Sequence, residues 1–99
     1  MSKNQITLIA KQDDYLTVQF KNNWFQEDVE SLADLLFKRL TPIEIQENIL
    51  GADRENIRFS WSDHYFILNF DCYSQSCWFE GQDQLSTSHL AALHSAING

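Results

Sequence analysis

The sequence predicts an α+β fold: a two-layer sandwich in which a mostly antiparallel sheet of five or six strands carries two helices on one face, in the order ββα-ββββα. Three observations carry this reading. Residues 6–10, 15–20, 57–61 and 65–70 alternate apolar and polar with the period of a strand, residues 26–40 change to the 3.6-residue period of a helix, and 99 residues suffice for one core but not two. All strands therefore share one sheet, and 1–99 reads as a single domain.

The first two strands, Ile6 to Ala10 and Tyr15 to Phe20, flank the polar turn Lys11-Gln12-Asp13-Asp14, a hairpin signal. Alternation places Ile6, Leu8, Leu16, Val18 and Phe20 toward a core, with Thr7, Ile9, Tyr15, Thr17 and Gln19 facing away. From about Gln26 to Leu40, Val29, Leu32, Ala33, Leu36 and Leu40 share one helical face, and Glu27, Glu30, Ser31, Asp34 and Lys38 the other. An acidic first turn and a basic last turn suit the helix dipole. Thr41-Pro42-Ile43-Glu44 has the look of a helix N-terminus, yet Ile43-Glu44-Ile45 alternates and Gly51 stands close by. Residues 43–49 are ambiguous between strand and helix, and the reading favours a short strand.

A second hairpin follows, Ile57 to Trp61 and Tyr65 to Asp71, around Ser62-Asp63-His64. Tyr73-Ser74-Gln75-Ser76 makes a third turn, Cys77 to Glu80 a last strand, and about Ser86 to Ile97 a final helix burying Leu90, Leu93 and Ile97. The chain also echoes itself. Asp14-Tyr15-Leu16-Thr17-Val18-Gln19-Phe20 returns at an offset of 50 as His64-Tyr65-Phe66-Ile67-Leu68-Asn69-Phe70, and Trp24-Phe25 answers Trp78-Phe79 at an offset of 54. A tandem ββα pseudo-repeat over 6–40 and 57–97 accounts for this, as does shared strand patterning.

Composition narrows the function classes. Apolar residues make up 43% of the chain and include seven Phe, three Trp and three Tyr, which excludes a disordered chain. A formal net charge of −7 opposes nucleic acid and anionic membrane, where binding requires clustered Lys and Arg. No apolar run approaches a membrane span, and the polar start Met1-Ser2-Lys3-Asn4-Gln5 lacks the apolar region of a signal peptide, so a cytoplasmic protein is expected.

Motifs with chemistry are weak. Cys72 and Cys77 flank a four-residue turn, and a symmetric hairpin would set them opposite each other; parity makes both of them small core hydrophobes, with a disulfide or half a metal site as alternatives. His89 and His94 lie five residues apart, so on a helix they diverge by about 140° and cannot share an ion without a third element. His94 reads as a hydrogen-bonded boundary residue. Asp13-Asp14 and Asp63-His64 read as turn residues, Ser86-Thr87-Ser88 as helix capping, and three scattered Gly make no phosphate loop. No catalytic motif, metal site or cofactor site emerges.

Aromatics carry the remaining signal. With the helices on one sheet face, parity sends Tyr15, Arg58, Tyr65, Ile67, Tyr73 and Trp78 to the other, an amphipathic set of the kind that interface cores enrich. The expected function is therefore a small non-enzymatic domain that works by protein contact with a partner or with itself, as a homodimer through the open sheet face. The alternative is a small-molecule binding protein or enzyme with a pocket near Cys72, Cys77 and Trp78.

Overall fold

The computed structural model describes residues 4–98. Six strands form one sheet: β1 (Ile6–Lys11), β2 (Tyr15–Phe20), β3 (Glu44–Leu50), β4 (Arg54–Trp61), β5 (His64–Asp71) and β6 (Ser76–Gly81). Their spatial order is β1-β2-β6-β5-β4-β3, and every neighbouring pair is antiparallel. A 3-10 turn at Gln26–Asp28 leads into α1 (Val29–Phe37), and the chain ends in the short α2 (Gln84–Thr87) and α3 (Leu90–Asn98). The architecture is the expected two-layer α+β sandwich, with residues 44–50 a strand.

One face of the sheet builds the core. Cross-strand register aligns Ile9, Val18, Cys77 and Phe70 in one row, Leu16, Phe79, Leu68 and Ile57 in the next, and Phe66 and Phe59 in a third. All of these are buried, and they join Val29, Leu32, Ala33 and Leu36 of α1 and Leu90, Leu93 and Ile97 of α3 in a single cluster. Phe37 of α1 packs edge-on against Phe59 at 4.9 Å between ring centroids. At the other side of the layer, His94 of α3 donates from Nε2 to the Ile9 carbonyl at 2.8 Å, as expected of a boundary histidine.

Three expectations need correction. In β1, Ile9 is buried and Leu8 half exposed, the reverse of simple alternation. The register slips between Ile6 and Leu8, and one extra residue exchanges the two faces beyond it. The first helix is shorter at both ends than 26–40: it opens as the 3-10 turn, where the Phe25 N–H donates to Asp28 Oδ2 at 2.9 Å, and it ends at Phe37, whose carbonyl accepts from Thr41 Oγ1 at 3.2 Å. Thr41 thus closes this helix rather than opening another. The last helix is split, because Ser88 Oγ and His89 Nδ1 both hydrogen-bond the Leu85 carbonyl, at 2.6 and 3.0 Å, in competition with the backbone ladder.

The echoed segments are alike in burial along β2 and β5. Tyr15 and Tyr65 are equally half exposed, Leu16 and Phe66 fully buried, and Val18 and Leu68 buried. The likeness ends at the Trp-Phe pairs. Trp24 is buried edge-on against Phe70 while Phe25 is exposed, whereas Trp78 lies half buried on the outward face and Phe79 is buried. Trp24 belongs to a loop and Trp78 to a strand, so the two pairs obey different geometric rules.

Candidate interaction surface

Among the described residues, no helix lies on the other face of the sheet. Register arranges its outward side chains in rows across all six strands. One row runs Ala10, Thr17, Trp78, Asn69, Asn56, Ile49, and its neighbour Tyr15, Glu80, Ile67, Arg58, Glu47. Tyr65 stands in a third, beside Ser60 and Glu44. Of the sequence-derived set, Tyr15, Ile67 and Arg58 therefore share a row, with Trp78 and Tyr65 in the rows on either side. Tyr73 falls outside the rows. β5 ends at Asp71, whose Oδ1 accepts from the backbone N–H groups of Tyr73 and Ser74 at 3.1 and 3.3 Å, and in this turn strand alternation no longer directs a side chain.

Polar groups organise the middle of the face. Asn56 Nδ2 donates to Asn69 Oδ1 at 2.5 Å, and Asn69 Nδ2 donates to Glu80 Oε1 at 3.1 Å. Asn69 is only 4% exposed although no helix covers it, because Trp78 and Asn56 flank it in its row. A network spanning three strands fixes side-chain directions and gives the face a defined relief. Arg58 pairs with Glu47 at 3.6 Å, an exposed ion pair that adds little stability. Beside Trp78 the surface dips into a hollow of about 550 Å³ lined by Tyr15, Thr17, Gln19, Gln75 and Glu80.

The two cysteines do not meet across the strands. The closing pair of the turn is Asp71 and Ser76, so Cys77 lies opposite Phe70 while Cys72 belongs to the turn itself. Gln75, with φ of 58°, sets the conformation, and its side chain clamps the turn to the loop before α1: Oε1 accepts from the Trp24 N–H at 2.9 Å and Nε2 donates to the Trp24 carbonyl at 2.7 Å. Both thiols are free. Cys77 is buried on the helix-covered side, and burial pushes its thiol well above the usual range. Since the thiolate is the reactive form, a disulfide-exchange reagent is expected to modify Cys72 in the native protein and Cys77 only on unfolding. Equal rates for the two thiols in a stopped-flow trace would contradict this placement.

Elsewhere, His64 and His89 stack with ring centroids 3.6 Å apart, a contact between the start of β5 and the break before α3. Asp83 caps α2 by accepting from the Ser86 N–H at 2.7 Å, and that bond holds its carboxyl below the usual range. Among the described residues no three His, Cys, Asp or Glu side chains converge as metal ligands, and no helix is long and apolar enough to cross a membrane.

The fold and surface define a small α+β domain with one sheet face covered by helices and the other open. The chain belongs to the family described as protein of unknown function (DUF3630), whose model matches residues 6–95, the sheet and most of the helical layer. No curated protein and no solved structure matches it.

Proposed function

We propose that this protein is a small cytoplasmic contact module, non-enzymatic, that associates with a second copy through its open sheet face. The observation supporting this most directly is that, among the described residues, a six-stranded sheet keeps one whole face free of helices while presenting Tyr15, Tyr65, Ile67 and Trp78 there around an ordered polar network. Tyr and Trp combine large contact area with a polar tip, which suits a surface that is wet when free and dry when bound. Strand-on-strand stacking of two such faces would bury these anchors symmetrically.

Sedimentation equilibrium over a range of concentrations tests this. A monomer–dimer equilibrium is expected, weakened in Tyr65→Ser with the melting midpoint nearly unchanged, because the Tyr65 ring contributes to binding and its inward neighbour Phe66 to the core. A chain that stays monomeric at every concentration, or a Tyr65→Ser variant that associates as tightly as the parent, would overturn the reading. The hollow beside Trp78 favours a second reading, a small-molecule site on the same face. There Trp78 and Tyr15 supply the walls, and Cys77 also lines the hollow although the residue is almost wholly buried.

A further inference from the structure

On the covered side, the helical layer stops short of one margin of the sheet. Six strands at about 4.8 Å spacing span roughly 24 Å between their outermost members, whereas each helix covers about 10 Å. α1 and α3 leave β3 bare. Every residue of β3 is exposed, although Ile45 and Leu50 continue inward-facing rows whose β4 and β5 members, Phe59 and Phe66 or Glu55 and Phe70, are buried.

The result is a groove of about 920 Å³ between α1 and β3. Phe37, Ile45 and Leu50 lend it apolar surface; Glu27 of the 3-10 turn and Glu30 and Asp34 of α1 line one wall, and among the described residues no Lys or Arg lines the groove. Glu55, at its end, is 8% exposed, and its carboxylate receives one long hydrogen bond, 3.4 Å from Gln26 Nε2. The ion pairs among the described residues, Arg54 with Asp71 and Arg58 with Glu47, leave Glu55 without a cation. Gln26 Oε1 is buried without a hydrogen-bond partner among the described residues. A buried carboxylate and an orphan carbonyl side by side are costly until a cation joins them.

We infer that this groove docks a basic amphipathic helix of a partner protein, whose apolar stripe covers Ile45 and Leu50 and whose Lys or Arg side chains meet Glu27, Glu30, Asp34 and Glu55. Such a helix completes the layer beside α1. A second copy of this chain does not supply such a helix, since neither α1 nor α3 carries a Lys or Arg. The groove and the open sheet face lie on opposite sides of the molecule, so this site stands independently of dimerisation.

The test is a displayed library of amphipathic helices, each about 18 residues long, with a fixed apolar stripe and randomised flanks, panned against the whole protein. Flanks enriched in Lys and Arg are expected, and an enriched peptide titrated into labelled protein should shift amides of residues 26–37 and 44–57. Ile45→Ser and Leu50→Ser, at exposed positions that the fold tolerates, should each weaken binding roughly tenfold, and Glu55→Gln should weaken it while reducing its salt dependence. Tyr65→Ser should leave it unchanged. No enriched binder, neutral or acidic flanks, amide shifts confined to the outward sheet face, or full affinity in Leu50→Ser would each overturn the assignment.

Discussion

Phe59→Ala is expected to destabilise the protein by about 3–5 kcal/mol, the cost of truncating a fully buried Phe and leaving a cavity. Phe59 is 0% exposed and touches three other rings: Phe37 at 4.9 Å, Phe66 at 5.8 Å and Phe79 at 5.8 Å. Through these it ties α1 to β4, β5 and β6, so no single element can close the void by shifting alone. Small domains have total stabilities of about 5–15 kcal/mol, and the variant would approach the limit of folding. Urea denaturation should show the midpoint falling with an unchanged slope. Its neighbour Arg58→Ala, on the exposed face, should stay within about 0.5 kcal/mol, and equal losses from both would place Phe59 outside the core.

Gly81→Ala is expected to cost about 1–3 kcal/mol, for a steric reason. An added Cβ would sit 2.8 Å from Thr87 Cα and closer still to the Thr87 backbone nitrogen, and backbone cannot rotate away. The close approach is imposed by bonds on both sides. The Asp83 carbonyl accepts from the Thr87 N–H at 2.9 Å, and Ser86 Oγ accepts from the Tyr65 N–H at 3.0 Å, fastening α2 to β5. Displacing α2 would break the Ser86 contact, so amide exchange at Tyr65 should quicken in the variant. Gly51→Ala is the control, because a Cβ there meets only the Arg54 carbonyl at the ordinary distance of 3.4 Å. A melting midpoint equally unaffected by both substitutions would refute the argument.

The strands were legible wherever apolar and polar residues strictly alternate. In β2 and β5 the inward set Leu16, Val18, Phe66, Leu68 and Phe70 follows from the pattern, and the outward Tyr15, Tyr65 and Ile67 follow from the same parity. In β1, Leu8 and Ile9 are adjacent and both apolar, so the pattern cannot say which faces the core, and the slip after Ile6 decides it. In β3, Ile45, Ile49 and Leu50 do not keep one parity, because the register slips again between Ile45 and Glu47.

What joins residues across strands was not legible. The link from Asn56 through Asn69 to Glu80 depends on β6 lying between β2 and β5, and periodicity within a segment carries nothing about which strands become neighbours. The groove along α1 was hidden for the same reason, since Glu30 and Asp34 read only as a solvated helix face until β3 is placed beside them. The cysteines show how fine the margin is: the turn begins one residue earlier than a symmetric reading gives, and a facing pair becomes one core thiol and one turn thiol.

The two register slips fall on the two outermost strands of the sheet, β1 and β3. Each outer strand is therefore bent and over-twisted along the side that carries its unpaired amide and carbonyl groups. A straight seventh strand from another molecule cannot follow such an edge over its length, and Glu44 and Glu47 add charge along β3. Neither edge offers a straight template to a further strand, which disfavours end-to-end growth into fibrils for a sheet with so many aromatic residues.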